Sequence, residues 1–221
     1  MCGEPSFCPS FFAGGGPVPY PPSGTPKLWG CTLPAPALRM WRLPRWAQAS
    51  VGAWYPARFS HERRFYLTLD DGPSGTLTHY LLDLLGEYGF RATFFWVWSR
   101  FSETYRDLIG RVRGEGHTVG LHGRTHLSPW RQTRTVWRSE LIHAAFFWKA
   151  VEAPLLPLYR PPYGHLRRLP GGVGWRLVFW DLMPPDYIRG TSWVQRLIGS
   201  LRPHDVVAVS YTHLRAHETG R

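Results

Sequence analysis

The feature that most constrains this chain is an alternation of two periodicities. From residue 64 onward, short apolar runs of strand length take turns with longer segments of helical spacing. Residues 64–69 (RFYLTL) are aromatic and β-branched and end at Asp-Asp-Gly-Pro, which predicts a strand running into a turn. Residues 76–88 place Leu77, Tyr80, Leu81, Leu84, Leu85 and Tyr88 at helical spacing, with Gly89 as C-cap. Residues 92–98 (ATFFWVW) predict a second strand, and 103–114 a helix whose inner stripe is Leu108, Ile109 and Val112. The pattern continues with strands at 117–121, 155–159, 175–180 and 205–209, and with helices at 131–150 and 192–201. Between the fourth and fifth strands, residues 165–174 (HLRRLPGGVG) are a short Gly-rich connection where a helix would be expected. Strand-then-helix units with continuously apolar strands predict an α/β fold around a mainly parallel sheet, open or closed into a barrel. No internal repeat is visible.

The rest of the chain sets limits. Its 221 residues, 43% hydrophobic, suffice for one packed domain, and no run of 18 apolar residues offers a membrane span. Residues 1–39 hold nine Pro and six Gly but only three charged side chains, Glu4, Lys27 and Arg39. That composition predicts a disordered leader, either authentic or an upstream extension ahead of a start at Met40. No basic, apolar signal-peptide pattern opens it. All three cysteines lie within the first 31 residues and form neither a CxxC pair nor an even disulfide set. Residues 40–63 make an N-terminal arm mixing aromatic side chains with Arg, and 64–209 the folded domain. The net charge of +11 is almost entirely arginine, 24 of 26 cations. These arginines are scattered without a dense tract, so no nucleic-acid partner is expected.

In parallel α/β folds chemistry collects at the C-terminal ends of the strands. There the chain sets Asp70-Asp71 after the first strand and His122 and His126 after the third. Arg160-Pro161-Pro162-Tyr163-Gly164 follows the fourth, and Asp181 the fifth. Each has a plain alternative: Asp-Asp-Gly-Pro is a good turn, Pro-Pro stiffens any loop, Asp181 is a capping residue, and paired histidines are common on surfaces. At i, i+4 the two imidazoles can share one face and one metal ion.

Taken together, the clusters resemble the polysaccharide deacetylases of the NodB-homology group, carbohydrate esterase family four. Residues 67–73 (LTLDDGP) are similar to that family's TFDDGP motif, with Leu69 in place of Phe. His122-xxx-His126 is similar to H(S/T)xxH, with Gly123 where Ser or Thr is usual. Residues 159–164 (YRPPYG) are similar to RxPYG, and Trp180-Asp181 through Asp186-Tyr187 to a fourth motif.

The resemblance implies a distorted, incomplete (β/α) barrel with a mainly parallel sheet, and a metal-dependent hydrolase acting on acetylated polysaccharide or oligosaccharide. Asp71, His122 and His126 would hold one divalent ion, Zn²⁺ by ligand type, with Co²⁺, Ni²⁺ or Fe²⁺ also compatible. Asp70 would be the general base, held and oriented by Arg160. The Tyr163 amide would stabilise the oxyanion, presented by the fixed φ of Pro161 and Pro162. Pro162, Tyr163 and Trp180 would contact the substrate, and Asp186 would orient the general acid. In the family that acid is a histidine after the last strand, but the matching position here is Ser210. Residues 210–221 lack apolar periodicity and are worded like translated sequencing adapter, so a natural chain continuing with that histidine and a helix is the expectation. His213 or His217 folding back is the alternative. Three functions stay open: an N-deacetylase of chitin- or peptidoglycan-like polymer, an O-acetyl esterase on xylan-like polymer, and an inactive carbohydrate-binding relative. The family mostly acts outside the cytoplasm.

Overall fold

The computed structural model describes residues 42–54, 64–102, 105–150, 155–184 and 192–211. The leader 1–39, Asp186 and the tail from 212, including His213 and His217, lie outside the described residues. The chain enters through a short helix α1 (Arg45–Ser50) and then builds a sheet of six strands with four further helices. In chain order these are β1 (Tyr66–Gly72), α2 (Gly75–Glu87), β2 (Thr93–Trp96), α3 (Arg106–Gly114), β3 (Thr118–Leu121), α4 (Arg134–Ala150), β4 (Leu155–Tyr159), β5 (Arg176–Leu177), α5 (Ser192–Ser200) and β6 (Val206–Ser210).

The strand order is β5-β4-β3-β2-β1-β6, and every pairing is parallel. Helices pack over the sheet, so its central strands are buried from end to end. All four residues of β2 and six of seven in β1 are buried, which is why they read as unbroken apolar runs. Past β5 the chain reaches the opposite edge: Leu182 bridges Val207 in parallel, and the Ala208 N–H donates to the Leu182 carbonyl at 3.0 Å. The sheet thus curls until its edges meet along one short seam, which is the distorted, incomplete barrel expected.

The N-terminal arm laces that seam. Arg42 holds Asp205 with both terminal nitrogens, 3.1 and 2.7 Å, and Arg45 Nε donates to Asp181 Oδ1 at 2.6 Å. Gln48 Nε2 donates to the Trp180 carbonyl at 3.0 Å, and the Trp54 N–H to the Leu177 carbonyl at 2.7 Å, which covers an otherwise bare strand edge. Asp181 also accepts from the Val206 N–H at 3.1 Å, so one buried carboxylate joins α1 to β6. It clasps the seam through these long-range contacts, where its plain reading was a cap on the segment that follows it.

Three expectations are corrected in detail. Helix α2 buries Leu77, Leu81 and Leu85, with Thr78 and Leu82, but leaves Tyr80, Leu84 and Tyr88 exposed. The apolar arc is wider than the sheet it meets, and the i, i+4, i+8 row at its edge faces out. The fifth strand, expected over 175–180, pairs regularly for only two residues. Its later carbonyls are taken by side chains, Phe179 by Arg160 and Trp180 by Gln48. Helix α4 begins at Arg134 rather than 131, after a 3₁₀ turn over Pro129–Arg131. Gly89 has φ +66 and closes α2, with the Phe90 N–H reaching back to the Leu85 carbonyl at 2.8 Å. No helix among the described residues is long and apolar enough to cross a membrane.

Candidate metal centre

Asp70 and Asp71 are neighbours in a strand, and the pleat would send their side chains to opposite faces. A bulge prevents this. Asp70 pairs with Phe95 and Gly72 with Trp96, leaving Asp71 as the extra residue at φ +77. The bulge re-aims Asp71, so both carboxylates serve one site.

Asp70 turns to Arg160, the residue just after β4. Arg160 is fully buried, and its Nη1 donates to Asp70 Oδ1 at 2.7 Å and to Thr68 Oγ1 at 2.6 Å. Its Nη2 donates to the Phe179 carbonyl at 3.1 Å, and the guanidinium lies 4.2 Å above the Phe95 ring. Burial pulls the pKa of Arg160 down while Asp70 opposes that, and a guanidinium so paired stays charged.

Asp71 turns to the histidines. Its Oδ1 lies 3.4 Å from His122 Nε2 and 2.8 Å from His126 Nε2, and its Oδ2 accepts from the Ser210 hydroxyl. Burial alone would raise the Asp71 carboxyl; the two imidazoles and Ser210 outweigh it and hold it well below the usual carboxylate range. The Arg100 guanidinium donates to the Asp71 backbone carbonyl. His122 Nδ1 lies 2.9 Å from the Arg160 carbonyl, which can only accept, so Nδ1 donates to it and the ring is held with Nε2 facing Asp71. Asp71 Oδ1, though approached by two ring nitrogens, has no well-directed hydrogen bond. One ligand atom from each of Asp71, His122 and His126 lies within 4.8 Å of the others. Two imidazole nitrogens converging on an orphaned carboxylate oxygen are a ligand set that fits one divalent cation. His126 is the partly exposed member and opens the cluster to solvent.

The loop after Arg160 carries Pro162, buried, and Tyr163, 63% exposed at φ +61, whose ring packs edge-on 4.7 Å from His126. Gly164 follows at φ +61, where a Cβ would come within 2.2 Å of Trp180, so only glycine lets the turn close over that indole. Trp180 itself is buried in the core beneath the loop, away from any surface a polymer could touch. Sequence reasoning missed Thr68, which holds Arg160 from β1 itself, Arg100, which reaches the Asp71 carbonyl from a 3₁₀ turn after β2, and the Ser128–Trp130–His165 group beside the site. The motif order carries no signal for such contacts.

Comparisons with known proteins agree with this centre. The family model for "Polysaccharide deacetylase" matches residues 58–169, half of the chain. Those residues include Asp70, Asp71, His122, His126, Arg160 and Tyr163. A chitooligosaccharide deacetylase of Rhizobium leguminosarum bv. trifolii is 32% identical over 160 residues, 67% of this chain and 71% of its own length. A peptidoglycan-N-acetylglucosamine deacetylase of Bacillus cereus is 32% identical over 127 residues, 55% of this chain, and the match spans only 58% of that relative's length. The family 4 carbohydrate esterase of Streptomyces lividans, solved in complex with acetate, superposes with TM-score 0.60 at 27% identity, covering 69% of this chain and 82% of that one. From the matched motif region and the shared fold alike, this chain belongs to the polysaccharide deacetylase family.

Proposed function

We propose that the chain is a metal-dependent hydrolase that removes acetyl groups from an N-acetylated sugar polymer or oligomer of chitin or peptidoglycan type. One observation carries this reading: Asp71 and the two imidazole Nε2 atoms converge beside a second, buried carboxylate pinned by Arg160. The substrate class is supported by relatives named for chitooligosaccharide and for peptidoglycan N-acetylglucosamine.

Asp71, His122 and His126 would hold the ion; two neutral imidazoles and a carboxylate suit Zn²⁺, with Co²⁺, Ni²⁺ or Fe²⁺ compatible. Held there, a divalent ion would supply Lewis acidity, lowering the pKa of water toward about 7 and polarising an acetyl carbonyl. Asp70 takes the proton of the attacking water, with Arg160 occupying its Oδ1 so that Oδ2 is the oxygen available. The Tyr163 N–H, on a turn set by Pro161 and Pro162, donates to the developing oxyanion. Attack breaks the acyl C–N bond, acetate departs, and the leaving amine needs a proton. At the position where the family places a histidine stands Ser210, whose hydroxyl is bound to Asp71.

That substitution favours a second reading, an O-acetyl esterase, because an alkoxide leaves with less acid assistance than an amine. General acid help is typically worth about 10² to 10⁴ in rate. Two measurements decide. Purified protein is expected to take up about one divalent ion per chain, and His126→Ala to abolish uptake, since two ligands rarely hold a catalytic ion. Equal uptake by both proteins removes the triad assignment. Acetate release from N-acetylated chitooligosaccharide supports the first reading. Release from acetylated xylan alone supports the second.

A further inference from the structure

Large apolar side chains are exposed at several places, Tyr80 and Leu84 on α2, Tyr88 at its C-cap and Phe146 on α4 among them. One exposed indole differs from these because it is locked and lies beside the centre just described. Trp130 is 60% exposed, yet its ring stacks flat on His165, with centroids 3.9 Å apart and planes within 3°. Its Nε1–H donates to the Leu166 carbonyl at 3.2 Å, and its backbone N–H to Ser128 Oγ at 3.1 Å. Ser128 is buried, and the same hydroxyl lies 2.6 Å from His165 Nδ1, so one group ties the His165 ring to the backbone that carries Trp130. A side chain exposed for want of anything to pack on would not be held both by its face and by its ring nitrogen. A platform for a ligand would, because rings already ordered lose no freedom when the ligand arrives.

The platform is continuous with the metal-ligand cluster. His126 meets Tyr163 at 4.7 Å, Tyr163 meets His165 at 5.6 Å, and His165 carries Trp130. Tyr163 and Trp130 are both exposed along this row, which leads outward from the triad. Resting on the deacetylase reading above, we propose that Trp130, seated on His165, is a specificity-determining subsite that stacks on the sugar unit next to the one being deacetylated. A pyranose ring presents C–H groups on its faces and hydroxyls round its edge. It therefore needs a flat apolar surface that ends in polar groups, as an indole offers. The subsite makes the enzyme prefer oligomers to single sugars.

Titration calorimetry on the full chain tests this, with N-acetylglucosamine and its β-1,4-linked tetramer as probes. Wild type is expected to bind the tetramer at least tenfold more tightly than the monomer. Trp130→Ala should cut that preference about tenfold, the equivalent of ~1.4 kcal/mol, and Trp130→Phe should retain most of it. Thermal unfolding of both variants checks that each is folded. Acetate release measured alongside separates this inference from the function it rests on. If the wild type releases acetate but Trp130→Ala keeps the full preference for the tetramer, the subsite is wrong and the deacetylase reading stands. If tetramer binding depends on Trp130 but no acetate appears, the subsite stands and the catalytic reading fails. A wild type that binds monomer and tetramer equally overturns the subsite directly.

Discussion

Ser210 has more to do than its place at the end of a strand suggests. It pairs in register with Asp70, and its hydroxyl holds Oδ2 of Asp71, which turns Oδ1 to the two imidazoles. Partners of this kind, which orient a metal ligand without touching the ion, are commonly worth about 10- to 100-fold in affinity. Ser210→Ala should weaken Zn²⁺ binding within that range in a competition titration against a chelator, while Ser210→Thr should retain it. An Ala variant as tight as wild type would show that Asp71 is oriented without Ser210. At this scale much of the centre was legible in the sequence, since Asp70, Asp71, His122, His126 and Arg160 all meet where their strand ends predict. Trp180 was not, because an indole next to a motif looks the same whether it lies under the loop or on top of it. Trp130 faces out beside the centre, held by its stack on His165 and by the Leu166 carbonyl, contacts some 36 residues away along the chain that no local pattern encodes.

At the scale of elements, strand and helix positions follow the sequence because parallel strands buried on both faces must be continuously apolar. What escaped is what depends on a neighbour. The bulge at Asp71 arises from the register of β1 against β2, and the shortness of β5 from side chains of Arg160 and Gln48 that take its carbonyls. The arm at 42–54 offered only scattered aromatics and arginines, yet it laces the seam through Asp181 and Asp205. Asp181→Ala removes the acceptor of the Val206 N–H and of Arg45 together. A buried donor left unsatisfied costs about 1–3 kcal/mol, so the urea midpoint should fall correspondingly. Local amide exchange should quicken at β6 before the central strands. An unchanged midpoint would mean that the arm holds the seam without this carboxylate.

Stability of the whole molecule should depend on pH through His117. This imidazole is buried, accepts from the Ala92 N–H at 3.1 Å and meets the Phe94 ring edge-on. Burial lowers its pKa below the ordinary 6.5, with Arg91 and Arg111 adding to the shift and Glu115 opposing it. Below about pH 6.5 the unfolded chain therefore takes up a proton that the folded one refuses, and stability falls as the solution is acidified. Melting temperature should drop between pH 7 and pH 5, and His117→Asn should flatten that slope, if at some cost in overall stability. Equal slopes in the two proteins would place the pH dependence elsewhere.

Among the described residues four non-glycine positions have positive φ, and three of them, Asp71, His126 and Tyr163, stand at the metal-ligand cluster. A left-handed backbone costs an L-residue about 1–2 kcal/mol and a glycine almost nothing. Selection for folding alone would therefore favour glycine at all three. A lineage that no longer used the site would be free to drift there, and each such replacement would ease the backbone while erasing a ligand or its neighbour. Side chains at 71 and 126 thus serve as a record of use: their persistence in a descendant marks a working centre, and glycine at either marks one retired, whereas glycine at 163 would keep the backbone N–H.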